Sequence, residues 1–485
     1  MMLSKSQYTC YLQCPKFFWL SRKKREVLTP PSTHQQQIFD TGHYVGETAC
    51  RLFPGGEEIP FDRTDLPGMA ARTKQLIHEG VTTIYEASFI FDEIFVAVDI
   101  LHYENGLWNI YEVKSSTGVK DIYIHDAAVQ SYVLENCGIK LKSENIVHIN
   151  NRYVRGAELD LKELFTIADI SLNILAHKRL IPERIKEMKS LLEESEPEQE
   201  IGHRCLSPYE CFARDYCWQT LAGIPEDSVF TLTTSRMDDK FKYFTEGIIR
   251  LSDLNPAEMG KAQQLHIEGN LHIESDPIRE FLSLLEYPIS HLDFESFQQA
   301  VPEYEGVKPY QQIPFQYSLH IEDGNELIHK EFLGPWDSDP RRELAENLIK
   351  DIPEEGSILA YNKSFEKGVI NKLAALFTDI EKELTSISER ISDLMLPFQK
   401  RWYYHPEMKG SYSIKKVLPA LVPEMEKAYA DLPGVKNGGE ASTIWLYLSS
   451  STDPRDQEKI RQGLLEYCRL DTLAMVKILE ILRTV

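Results

Sequence analysis

The chain has no apolar run approaching the roughly 18 residues that a membrane-spanning helix needs. Its opening, Met1-Met2-Leu3-Ser4-Lys5-Ser6, lacks the apolar core of a secretory signal. The expected location is therefore the cytoplasm. Cysteine is sparse as well, with eight in 485 residues. That density excludes a disulfide scaffold and leaves metal ligation or burial in a reducing compartment. Positive charge is the third shortage: 53 Lys and Arg face 75 Asp and Glu, for a formal net charge of −22. A broad basic footprint for nucleic acid is thereby excluded. Contact with nucleic acid must come from local patches such as Arg22-Lys23-Lys24-Arg25, Lys114 with Lys120, or Lys415-Lys416. The first of these reads equally as the solvated end of a helix. There is also no internal repeat.

What is present is length and order. A chain of 485 residues with 42% apolar content predicts two or three domains, each able to bury a core. Residues 1–25 read as a short amphipathic helix with Ser4 and Ser6 as cap candidates, and helical patterning runs on to about residue 52. Three β-branched and aromatic strands follow: Ile84–Phe91, Ile94–Leu101 and Leu107–Lys114, separated by short turns. Residues 123–136 and 158–194 read as helical, and the acidic stretch from Glu193 to Glu200 as a solvated connector. Residues 226–285 read as a linker subdomain. A second α/β unit spans 286–485, with strands at Ile289–Glu295, Phe315–Ile321, Glu326–Leu333 and Ser357–Tyr361, and a terminal helix over Arg461–Thr484.

Two sets of acidic residues stand out. Asp99 ends one predicted strand, and Glu112 and Lys114 lie two apart on the next, so period-2 geometry puts both on one face near Asp99. Gln130, expected at the start of a helix, and Glu86 complete that shell. Carboxylates of this kind hold Mg²⁺ or Mn²⁺, which activates water and neutralises charge on a phosphodiester, while a lysine stabilises the transition state. The second set is Asp293 and Glu295 on one strand face, Glu366 in Asn362-x-x-Phe365-Glu366, and Tyr467 with Asp471 one helical turn apart. Four acids there would clamp two metal ions, with Tyr467 orienting the attacking water.

The first set resembles the PD-(D/E)XK superfamily, most specifically its RecB-like branch, which includes CRISPR-associated nucleases with iron–sulfur clusters. The branch opens on a Ser-x-Ser…Cys-Pro-Arg/Lys-x-Phe motif, matched by Ser4-Lys5-Ser6 and Cys14-Pro15-Lys16-Phe17-Phe18. Its catalytic motifs match Asp99, Glu112-Val113-Lys114 and Gln130. In two places the chain departs from the branch: Gly46 stands where a metal-binding His is usual, and Leu134 where a Tyr is usual. The resemblance implies that Cys14, Cys205, Cys211 and Cys217 hold a [4Fe–4S] cluster that pins the first helix to the end of the domain over residues 1–225. On chemistry alone, a four-cysteine zinc site or simple burial remain open. Cys10, one turn before Cys14, is an alternative ligand, and Cys50, Cys137 and Cys468 read as core.

The second set resembles DnaQ-like 3′–5′ exonucleases of the DEDDy type, within the ribonuclease H-like superfamily. The motifs occur in the right order, with Glu366 where most members carry Asp. Gly410-Ser-Tyr-Ser-Ile-Lys415-Lys-Val-Leu418 also resembles that family, and its Ser-Ile-Lys stretch is a candidate substrate contact. Taken whole, the chain resembles an uncharacterised bacterial family that fuses the two domains. The expected fold class is α/β throughout. The expected function is a metal-dependent DNA nuclease with two sites, acting on single-stranded DNA or free ends. A ribonuclease, or a nucleic-acid-binding module with one or both sites inactive, are the alternatives.

Overall fold

The computed structural model describes residues 2–430, 432, 438–448 and 453–485. The protein is mixed α/β and forms two compact units, Met1–Gly223 with Gln299–Gln311, and Ile224–Gln298 with Gln312–Val485. No helix among the described residues is long and apolar enough to cross a membrane.

The first unit is built on seven strands: β1 (Leu3–Ser4), β2 (Glu57–Glu58), β3 (Thr83–Phe91), β4 (Ile94–Glu104), β5 (Leu107–Lys114), β6 (Leu141–Ile149) and β7 (Phe165–Asp169). The sheet order is β2-β3-β4-β5-β6-β7, with β1 pairing alongside β4. The meander β3-β4-β5 is antiparallel. Helix-mediated crossover then makes β6 parallel to β5. The helices that matter for function are α1 (Lys5–Gln13), α2 (Pro15–Lys23), α3 (Thr33–Cys50), α4 (Leu66–His78) and the crossover helix α5 (Asp121–Asn136).

Two local differences from the sequence reading concern the site. The single helix expected over 1–25 is two helices, because Pro15 disfavours the helical region for the residue before it. Cys14 accordingly sits at φ −161°, ψ 116°, ending α1 and starting α2. Ser4 caps α1 in a reciprocal capping box with Gln7. Gln130 lies within α5 rather than at its start. The stretch 158–194 is also not all helix, since Phe165–Asp169 forms the edge strand β7 on the open side of β6. Among the cysteines expected in the core, Cys468 is buried, Cys50 is half-buried and Cys137 is exposed at the end of α5.

The second unit takes in residues 224–285, which therefore do not stand apart as a linker. Strand β8 (His272–Ile273) pairs with β14 (Tyr403–Tyr404), and Thr233 Oγ1 donates to the Gly410 carbonyl at 2.7 Å. Tyr403 and Tyr404 are buried by this pairing. The central sheet runs β11 (Leu327–Leu333), β10 (Ile313–Glu322), β9 (Ile289–Phe297), β12 (Ile358–Ala360), β13 (Ile391–Asp393). Strands β9, β10 and β11 are antiparallel, while β9, β12 and β13 run parallel.

Alternation along β9 and β10 gives this sheet two unlike faces. Leu292, Phe294, Tyr317, Leu319 and Ile321 form a buried core with α6 (Arg341–Asp351), α7 (Lys363–Leu376) and α8 (Glu381–Glu389). The opposite face carries Asp293, Glu295, Gln316, Ser318 and His320. It is met by the last of four further helices, α9 (Ile414–Leu421), α10 (Glu424–Ala430), α11 (Gly438–Leu448) and α12 (Pro454–Leu482). The docking of α12 is polar: Thr472 Oγ1 lies 2.7 Å from Ser318 Oγ and 2.8 Å from His320 Nδ1, and Gln316 Nε2 donates to the Leu464 carbonyl at 2.8 Å. Directional bonds of this kind fix the register of α12, and hence where Tyr467 and Asp471 point.

Candidate metal centres

In the first unit the β4–β5 ladder reaches Ile100 opposite Tyr111. Asp99 and Glu112 lie one residue beyond, where the Val113 N–H turns to the Asp99 carboxylate at 2.6 Å. Glu112 is 2% exposed and is surrounded by donors. Its Oε1 accepts from Lys5 at 2.6 Å and from Lys114 at 2.8 Å, and its Oε2 from Gln130 at 2.5 Å. Lys114 also pairs with Asp126 at 2.9 Å. All four predicted residues, Asp99, Glu112, Lys114 and Gln130, thus come together. Burial alone would raise the Glu112 carboxyl, but Lys114 and Lys5 outweigh it and hold the group down at about 2. Burial and the neighbouring Glu112 push Asp99 up to about 7. A cavity of about 700 Å³ opens here, lined also by Glu86, Glu58, His43 and Glu47.

Sequence reasoning missed several of these groups. Lys5 was quoted only as the variable residue between Ser4 and Ser6. Asp126 is one turn before Gln130 on α5, and His43 is one turn before Glu47 on α3. Both i, i+4 spacings were signals that these side chains share a face. Gly46 holds the position expected for a histidine, and His43, which the sequence did not mark as an obvious substitute, lines the same cavity from one turn earlier.

The cysteines meet at the junction of α1 and α2. Cys14 and Cys211 are buried in a small cluster with Phe17, Leu20 and Ala213, against which Cys217 packs. Burial raises the Cys211 thiol to about 12, the Ala213 amide lowers it, and Cys14, Cys205 and Cys217 each raise it further. Cys14, Cys205 and Cys217 thus all act on Cys211. Burial also raises Cys14, opposed by the backbone amides of Phe17 and Lys16.

The second unit holds the tighter cluster. Oxygens of Asp293, Glu295 and Asp471 all lie within 4.8 Å of one another. They line a cavity of about 340 Å³ with Tyr467, Tyr429, Tyr361 and Lys415. Glu366 does not join the trio, but it adds its charge to Asp293 from the first turn of α7. Asn362 places it there: at φ +77° this residue turns the chain from β12 into α7, a left-handed position that Asn tolerates. Glu366 is 2% exposed, and its Oε2 has no hydrogen-bond partner.

The electrostatics here reverse those of Glu112. Burial, then Asp471, Glu295 and Glu366, push Asp293 far above the usual carboxylate range. Burial and Asp471 raise Glu295 to about 8, with Lys415 opposing, and burial raises Glu366 to about 8. Asp471 stays lowest, at about 6, because Tyr429 and Tyr467 both donate to it against the effect of burial. Three clustered acids and an orphaned carboxylate oxygen form an all-oxygen donor set whose chemistry suits a divalent metal.

Residues 290–413 match the profile of a domain of unknown function, DUF2779. The match takes in Asp293, Glu295 and Glu366 and ends before Tyr467 and Asp471. Over 208 residues, 39% of this chain, the sequence is 28% identical to an uncharacterised protein of Ureaplasma parvum. An uncharacterised protein of Mycoplasma pneumoniae is 27% identical over 219 residues, again 39% of this chain. The chain spans about a third of the length of these curated relatives, 30% and 31% respectively.

The arrangement of strands agrees with a site at this place. From β9 the chain builds β10 and β11 on one side, then crosses to add β12 on the other. Ligands in open α/β sheets bind where strand order reverses in this way. Asp293 and Glu295 lie on β9, and Glu366 follows β12.

Proposed function

We propose that this protein is a metal-dependent nuclease whose working site is in the second unit, where a DnaQ-like DEDDy exonuclease of the ribonuclease H-like type trims nucleic acid from the 3′ end. The observation that carries this reading is the meeting of Asp293, Glu295 and Asp471 within 4.8 Å, with Tyr467 lining the same cavity. Divalent ions held by these acids, with Glu366 beside them, would activate water and neutralise charge on the phosphate. The chain's own groups do the rest. Tyr467 presents a hydroxyl to orient the water, and Lys415 offers an ammonium to the backbone of the substrate. DNA with a free or single-stranded end is the substrate we favour, with RNA as the competitor to test.

For the first unit, the RecB-like PD-(D/E)XK reading rests on Asp99, Glu112 and Lys114 lining one cavity, with Gln130 bonded to Glu112 behind them. A second reading is favoured there by a specific observation. Glu112 already accepts bonds from Lys5, Lys114 and Gln130, so a metal would have to displace an ammonium. With Glu112 engaged in this way, the first site would bind metal less readily than the second, which favours the reading in which it is inactive.

Cys14, Cys205, Cys211 and Cys217 fit an iron–sulfur cluster. A four-cysteine zinc site is the chemical rival. A [4Fe–4S] cluster bound there would be brown, and Cys211→Ser would bleach it.

The deciding experiment incubates end-labelled single-stranded DNA and RNA with Mn²⁺ and wild type, Asp293→Ala or Lys114→Ala protein. Stepwise 3′ trimming lost only in Asp293→Ala is the expected result. Loss only in Lys114→Ala would make the first unit the nuclease, and no cleavage by wild type would favour a binding module.

A further inference from the structure

Asp471 carries two tyrosine hydroxyls, and only one of them belongs to the motif that drew attention to it. Tyr467 lies four positions earlier on the same helix, so its approach to Asp471 follows from helical geometry alone. Tyr429 comes from a separate short helix, α10, and its hydroxyl donates to Asp471 Oδ1 at 2.7 Å. The two rings stand edge to face, 6.3 Å apart at 75°. Tyr429 lines the same cavity as Asp293, Glu295 and Lys415.

A carboxylate on a helix can rotate about its side-chain bonds, and the three acids repel one another. A ligand set of this kind keeps its geometry only if outside donors hold each carboxylate plane. Asp293 has the Cys468 thiol at 3.7 Å from Oδ2, a weak donor at that length. Asp471 has a strong donor from another part of the chain. We propose that Tyr429 is a positioning residue that aims the Asp471 carboxylate at Asp293 and Glu295 and so sets the affinity of this centre for divalent metal. This inference rests on reading the acids as a metal site. Partners behind metal ligands typically change affinity by 10–100-fold when removed.

The test measures Mn²⁺ binding directly, from the loss of the free-ion EPR signal, in full-length wild type, Tyr429→Phe, Tyr467→Phe and Asp293→Asn protein. Tyr429→Phe keeps the ring and its packing, so metal-free protein should melt within a few degrees of wild type while Mn²⁺ affinity falls about tenfold. Metal binding should also perturb the near-ultraviolet tyrosine absorption of wild type, with a smaller signal in Tyr429→Phe. Unchanged affinity in Tyr429→Phe, or a lower melting temperature with unchanged affinity, would overturn the positioning role. If Asp293→Asn binds Mn²⁺ as well as wild type does, the metal site itself is refuted and the role of Tyr429 with it. Weak binding in Asp293→Asn beside normal binding in Tyr429→Phe would refute only the latter.

Discussion

Each unit gathers acids on a sheet, but Glu112 of the first and the acids of the second are balanced in opposite ways. In the first, Glu112 is held by Lys5 and Lys114 and titrates far below the normal range, at about 2. In the second, Asp293, Glu295 and Glu366 all titrate far above it. In the first, two ammonium groups neutralise Glu112 while Asp99 and Glu86 beside it are raised. In the second, the acids face one another, with Lys415 as the cation that opposes the shifts of Glu295 and Asp471. The same residue type therefore supports different chemistry according to which side chains the fold brings alongside it.

The sharpest way to break this comparison is to disable the second cluster. Asp293→Asn should lower 3′ trimming by about three orders of magnitude, or about 4 kcal/mol of transition-state stabilisation, as measured by gel-resolved kinetics. Lys114→Ala should leave that activity in place.

The complementary break is in the first cluster. Lys5→Met strips Glu112 of one of its two ammonium partners in a buried setting. Urea unfolding at pH 7 should show a loss of about 3 kcal/mol. A loss below 1 kcal/mol would mean that Lys114 alone neutralises Glu112.

Stability against pH sharpens the contrast: Glu112 carries the opposite sign to the second cluster, whereas Asp99 beside it, raised to about 7, shares the second cluster's sign. Asp293, Glu295 and Glu366 have folded pKa values above their unfolded ones, so the folded state binds more protons and stability falls as pH rises from about 4.5 towards 8. Glu112 has a lowered folded pKa; its contribution is present above about 4.5 and is lost as pH falls towards 2. In EDTA, Glu295→Gln should therefore raise the melting temperature at pH 8 but not at pH 5, by an amount equivalent to about 2 kcal/mol. Mn²⁺ should stabilise wild type most at pH 8.

The smallest effect concerns residues 299–311, which join β9 to β10 yet belong to the first unit. Ala300 and Val301 are buried in a cluster with Val45, Ala49 and Ile100. The Arg155 N–H donates to the Val307 carbonyl at 3.0 Å, and the Tyr310 hydroxyl donates to the Ser115 carbonyl beside Lys114. Val301→Ala should destabilise the first unit by about 1 kcal/mol, seen as faster amide exchange in β6 with little change in β9.

Much of the candidate chemistry was legible locally. Period-2 alternation identified β3, β4, β5, β9 and β10, and it put Asp293 with Glu295 and Glu112 with Lys114 on shared faces. The i, i+4 spacing paired Tyr467 with Asp471. The proline after Cys14 was the sign of a break that the helical pattern concealed. Such features depend on a few neighbouring residues, so sequence alone determined them.

Other features depend on which segments meet, and those only the tertiary structure decided. Phe165–Asp169 became a strand because β6 offered it an unpaired edge. Lys5 reached Glu112 across 107 positions, and Tyr429 reached Asp471 from another helix. Residues 299–311 left their own sheet to complete the core of the first unit. Hydrogen bonding, burial and charge compensation are satisfied by whatever lies nearby in space, and no local pattern records that neighbour. The carboxylates were therefore visible in the sequence, whereas their states of charge were set by the fold.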